Sequence, residues 1–142
     1  LTKETHMPTV SAEAQRKIDD LIHRFKYTAD GKVDSWRIMK PDSMGNYRGD
    51  CDDFAITTWW FICGESYWKF WIGILFFRVK LWRVLTTPDN IGHLVLEYDG
   101  KFIDNIYRKW LPKEEMTHHF RGYLINNAFM AAIKMLLGKI VK

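Results

Sequence analysis

Asp99-Gly100 separates the run Gly92-His93-Leu94-Val95-Leu96-Glu97-Tyr98 from Lys101-Phe102-Ile103-Asp104-Asn105. An Asp-Gly pair between strand-like runs is a strong signal for a two-residue type I′ hairpin turn, in which both turn residues need positive φ. That turn fixes the register. Tyr98 pairs with Lys101, and counting outward sets Val95 opposite Asp104. His93 lies two residues beyond Val95 and so shares a face with Asp104. Diagonal cross-strand neighbours are about 7–8 Å apart, a gap that an imidazole and a carboxylate can bridge. A slip of one residue would send the two side chains to opposite faces.

Upstream, Tyr47-Arg48-Gly49-Asp50-Cys51-Asp52-Asp53-Phe54-Ala55 sets a thiol at the expected start of a helix, with Asp50 as its N-cap and two carboxylates in the first turn. A helix N-terminus and a nearby imidazolium both lower a thiol pKa, whereas adjacent carboxylates raise it. A reactive Cys51 therefore needs Asp52 and Asp53 turned towards capping or loop contacts. Cys51, His93 and Asp104 then have the makings of a nucleophile, a base and an orienting carboxylate. Cys63 follows Trp59-Trp60-Phe61-Ile62 and reads as core. At twelve residues along the same helix it lies about 18 Å from Cys51, too far for a disulfide. His6, His23, His118 and His119 have no comparable partner in sequence.

The remaining elements place this pair in an α+β chain, with helices first, then an antiparallel sheet, then a helix. Ser11 caps an amphipathic helix carrying Ala14, Ile18, Leu21, Ile22 and Phe25. Thr28 to Gly49 reads as a long ordered loop around Trp36. The helix from Cys51 ends near Gly64, and Ser66 caps a second, aromatic one from Tyr67 to about Phe77. Arg78 to Leu85 is a strand, and Thr86 to Ile91 a turn. Tyr107 to His119 is irregular, and residues 123–138 form an apolar C-terminal helix ending at Gly138.

The 142 residues make a single domain, 1–142, with 1–9 as a flexible N-terminus. The content is 47% hydrophobic, with seven Trp and nine Phe, which suits a packed core rather than a disordered chain. The apolar stretch from Phe54 to Phe77 is broken by Glu65 and Lys69, short of the roughly 18 uninterrupted residues of a membrane span. With no secretory signal visible, the expectation is a soluble protein, cytoplasmic or virion-associated. Seven Lys or Arg against Glu114 and Glu115 from Ile106 onward concentrate the basic excess at the C-terminal end. The aromatics cluster in apolar runs and do not interleave with those bases, so nucleic acid is not an expected partner. Contact of the C-terminal helix with a membrane surface or a protein is compatible with Lys134, Lys139 and Lys142. No CxxC or HExxH spacing occurs, and no cofactor is expected.

Gly49-Asp50-Cys51-Asp52-Asp53-Phe54-Ala55, preceded by Tyr27, Asp30, Asp34 and Trp36 and followed by His93, Asp104 and Asn105, resembles the bacterial transglutaminase-like cysteine peptidases of the papain-like and transglutaminase superfamily. Within them it looks similar to short members found in tailed-phage genomes. The resemblance implies a papain-like, transglutaminase-like core with the nucleophile at a helix N-terminus packed on a small antiparallel sheet. It also implies a Cys51-His93-Asp104 triad cleaving a peptide, isopeptide or amide bond of a peptide or protein substrate through a thioester. A transglutaminase or deamidase would use the same triad, and a non-enzymatic virion or partner-binding protein would keep the fold alone. An oxyanion needs two donors. The Cys51 N–H is the natural first, and Asn46, Tyr47 or Trp36 are candidates for the second. Some enlarged relatives hold calcium near the acids that follow the cysteine, which makes Asp52 and Asp53 candidate ligands. Ordinary complementation of the helix dipole is the simpler reading of that pair.

Overall fold

A computed structural model describes residues 8–29, 35–86, 92–116, 119–124 and 128–141. Helix α1, Ala12–Arg24, starts where Ser11 Oγ accepts the Ala14 N–H at 3.0 Å, and it buries Ala14, Ile18 and Leu21. The chain then extends into β1, Phe25–Tyr27, which pairs in parallel with β2, Tyr47–Gly49. The expected loop between them thus ends in a strand. Three residues are too few for alternation to register, and the partner strand lies at the loop's far end. Asp30 and Asp34, two positions of the family resemblance, fall outside the described residues. Thr9, expected in a flexible terminus, is held against the hairpin: its N–H donates to Asp99 Oδ2 at 2.8 Å, and its carbonyl accepts from the Tyr98 hydroxyl.

Helix α2, Cys51–Ile62, is buried on nearly every side from Asp52 to Trp59. A helix that is apolar all round belongs in a core, which is why this stretch resembles a membrane segment in sequence. Among the described residues no helix is long and apolar enough to cross a membrane. Helix α3, Tyr67–Leu75, packs on α2 where Gly73 meets the Trp59 ring; a Cβ at Gly73 would come within 2.1 Å of it. The Trp59 indole N–H donates to the Phe70 carbonyl at 3.0 Å and locks the contact.

Strands β3 (Lys80–Leu85), β4 (Gly92–Tyr98), β5 (Lys101–Ile103) and β6 (His119–Leu124) form an antiparallel sheet in the order β5-β4-β3-β6. The turn of β4 into β5 is the expected one, with Asp99 at φ 55° and Gly100 at φ 77°. Tyr98 pairs with Lys101 and Leu96 with Ile103. Most of the turn expected from Thr86 to Ile91 lies outside the described residues. Leu94 and Leu96 join Phe54, Ile56 and Trp59 in the main core. Val84, Val95, Phe102, Leu111 and Met116 make a second, smaller cluster.

The C-terminal region corrects two boundaries. His119–Leu124 is an edge strand on β3, and the last helix, α4, runs Ala128–Val141, starting later than residue 123 and passing through Gly138. Gly138 marks a close approach, not a helix end. A Cβ there would lie 2.1 Å from the Trp36 carbonyl oxygen, and the Trp36 N–H donates to the Lys134 carbonyl at 3.0 Å. Backbone-to-backbone docking leaves no room to adjust. Gly138→Ala is expected to cost about 1–3 kcal/mol as overpacking, read as a lower urea midpoint; an unchanged midpoint would mean that α4 does not seat on Trp36.

A candidate cysteine site at the start of the central helix

Asp50 caps α2 through a reciprocal pair: its Oδ1 accepts the Asp53 N–H at 3.1 Å, and Asp53 Oδ2 accepts the Asp50 N–H at 3.2 Å. The other Asp53 oxygen accepts the Arg37 N–H at 2.8 Å. This fully buried carboxylate therefore joins the cap to the preceding loop, as the reactive-thiol reading required. Gly49 is needed beside it, since a Cβ there would lie 2.7 Å from Asp53 Oδ2.

Asp52 behaves differently. It stays at the thiol: Cys51 Sγ donates to Asp52 Oδ1 at 3.6 Å, and Arg83 Nη1 stands 3.6 Å from the same oxygen. Burial, with the Asp52 charge second, pushes the Cys51 thiol well above its ordinary value, against a lowering hydrogen bond from the Leu94 N–H. The expectation of a depressed thiol pKa is thus corrected. At neutral pH Cys51 rests as a neutral thiol. Cys63 is buried core as expected, with burial pushing it up to about 12.

The hairpin holds His93 to Asp104, in register with Val84 of β3. His93 Nε2 lies 2.8 Å from Asp104 Oδ2, both side chains buried. The Ile106 and Tyr107 N–H groups donate to Asp104 Oδ1 at 3.1 and 2.8 Å, so the carboxylate is held on both oxygens. A carboxylate only accepts, which places the hydrogen on Nε2 and makes Nδ1 the basic nitrogen of the neutral ring. The Leu94 N–H that reaches the sulfur belongs to the peptide joining His93 to Leu94. Helix start and hairpin therefore meet at one point of β4.

Leu94 and Arg83 were not singled out from sequence. They sit opposite each other in the β3-β4 register, and that register depends on a connection with no two-residue turn to fix it. The proposed second oxyanion donors are dispersed. Tyr47 packs its ring edge-on to Phe61, ten residues and about 15 Å along α2 from Cys51. Trp36 is buried under α4, with Lys134 Nζ 5.9 Å from its ring centre. The Asn46 backbone closes a small loop with Asp42. As a calcium pair, Asp52 and Asp53 fit poorly, since one faces a thiol and a guanidinium and the other is used up by two N–H groups. Among the described residues no group of three or more His, Cys, Asp or Glu could hold a metal.

No protein-family model and no curated protein sequence matches the chain. Among solved structures it is similar to calcium-bound LapG of Legionella pneumophila, with a TM-score of 0.47 and 16% identity over 79% of this chain. It spans 61% of that structure's length.

Asp52→Asn removes the negative charge beside the sulfur and should speed iodoacetamide labelling of Cys51 at pH 8, by about threefold and at most about tenfold for each unit by which the thiol pKa falls. Labelling rates read by mass spectrometry check this. Equal rates in the two proteins would show that burial alone holds the thiol neutral.

Proposed function

We propose that the chain is a thiol hydrolase that cleaves a peptide, isopeptide or amide bond, with Cys51 as nucleophile, His93 as general base and acid, and Asp104 as orienter. The observation that carries this reading is the buried His93-Asp104 hydrogen bond of 2.8 Å on the strand whose Leu94 N–H meets the Cys51 sulfur.

Because the resting thiol is neutral, the proton leaves as the bond forms. The S–H turns from Asp52 Oδ1 towards His93 Nδ1, the sulfur attacks the carbonyl carbon, and the Leu94 N–H stabilises the developing thiolate. Asp104 stabilises the imidazolium, which then protonates the departing amine and leaves a thioester on Cys51. Water resolves the thioester in a hydrolase or a deamidase; a lysine amine would resolve it in a transglutaminase.

The neutral thiol bound to Asp52 favours one competing reading, a binding protein that keeps the constellation without turnover. Pre-steady-state release of p-nitrophenolate from p-nitrophenyl acetate separates the two. A hydrolase gives a burst stoichiometric with protein that is lost in Cys51→Ala, and added primary amine leaves the product as acetate. Rates that match Cys51→Ala from the first turnover would sink the enzyme reading, and an acetylated amine would identify a transferase.

A further inference from the structure

A second site lies at the other end of α2. A cavity of about 970 Å³ opens between α1, the Trp36–Pro41 segment and helices α3 and α4, and Cys51, His93 and Asp104 do not line it. Its volume is in the range of small-molecule sites. The walls are aromatic, including Trp36, Trp60 and Trp71.

Two features describe an occupant. The first is the mouth: Tyr67 on α3 and Leu136 on α4 line the cavity yet are each 59% exposed, so they stand at its opening. Trp68 on α3 and Ile140 on α4 are exposed as well, at 77% and 70%. Large apolar side chains gathered on two adjacent helices around an opening mark a binding surface for an apolar partner. The second is charge. Five cations, Arg16, Lys17, Arg37, Lys40 and Lys139, line the same cavity against the carboxylates of Asp20 and Glu65; Glu65 takes Lys17 at 2.7 Å, and Glu13 lies 3.9 Å from Arg16. The buried indole N–H of Trp36 and Nε of Arg37, both on cavity-lining residues, have no acceptor. A buried donor without an acceptor is costly, and an anionic oxygen would satisfy it.

We infer that this cavity binds an anionic amphiphile, an acyl chain carrying a carboxylate or phosphate head group, with the head group taken by Trp36 Nε1, Arg37 Nε and the neighbouring cations and the chain against Trp60 and Trp71. Such a molecule comes either free in solution or from a membrane leaflet, where exposed Trp, Phe and Ile with neighbouring lysines suit an anionic surface.

Brominated acyl chains quench tryptophan on contact, which makes 9,10-dibromostearate the direct probe, alongside vesicles of dibrominated phosphatidylglycerol. The expected result is saturable quenching by the free acid, which assigns the ligand to solution, or by the vesicles alone, which assigns it to a membrane. The brominated alcohol of the same chain, or phosphatidylcholine vesicles, should bind at least about tenfold more weakly. Ala132→Phe fills the cavity from an exposed position of α4 and should weaken binding by a similar factor, as should Lys40→Glu combined with Lys139→Glu, with thermal melts confirming that each variant folds. Absence of saturable quenching from both sources, equal binding of acid and alcohol, or full binding by Ala132→Phe would each overturn the assignment.

Discussion

Asp104→Asn is expected to lower acyl transfer to Cys51 by about 10³- to 10⁴-fold, the loss seen when a triad orienter is replaced by its amide. The amide oxygen can still accept the Ile106 and Tyr107 N–H groups that Asp104 Oδ1 receives. Its NH₂ then faces His93 Nε2, where it can only donate. The ring must present a lone pair at that nitrogen, which moves the hydrogen to Nδ1 and removes the base that the proposed mechanism uses. The imidazolium formed during attack also loses its counter-charge. Because Asn keeps the shape of Asp, the fold should survive, and an unchanged circular dichroism melt is the control. The measurement is the rate of the p-nitrophenyl acetate burst. A loss smaller than tenfold in a folded variant would mean that Asp104 is a structural partner of His93 and not a catalytic orienter.

The second large effect is on stability. Asp53→Ala strips the cap of its reciprocal bond and leaves the Arg37 and Asp50 N–H groups without their carboxylate. Each donor left unpaired costs about 1–3 kcal/mol. For the two N–H groups together the expectation is about 2–6 kcal/mol, a large share of the 5–15 kcal/mol typical of a domain. The Trp36–Met39 segment should loosen with it, since Met39 N–H to Thr57 Oγ1 at 2.8 Å is its next bond to α2. Urea unfolding measures the loss, and a shift under 1 kcal/mol would show that water takes over the two N–H groups.

The two halves of the candidate site were legible in the sequence for the same reason: each is held by local chemistry. The Asp99-Gly100 turn sets its own register, and the observed pairing of Tyr98 with Lys101 carries His93 to Asp104 without help from the rest of the fold. The α2 cap is likewise written in Asp50 and Asp53. The protonation of Cys51 was not legible, because it depends on burial and on which way Asp52 turns, and that direction is set by Arg83 from a strand fixed only in the folded sheet. The short strand β2 escaped for a related reason: its parallel partner β1 lies on the far side of a loop. At the C-terminus Gly138 looked like a helix end, although its missing side chain serves the contact with Trp36.

The acyl-enzyme itself is the most direct measurement. After brief exposure to p-nitrophenyl acetate and acid quench, peptide mass spectrometry locates the acetyl group. Acetylation confined to Cys51, absent from Cys63 and abolished by His93→Ala, is the expected result. Acetylation shared between the two cysteines, or undiminished at Cys51 when His93 is removed, would contradict a nucleophile activated by the His93-Asp104 pair.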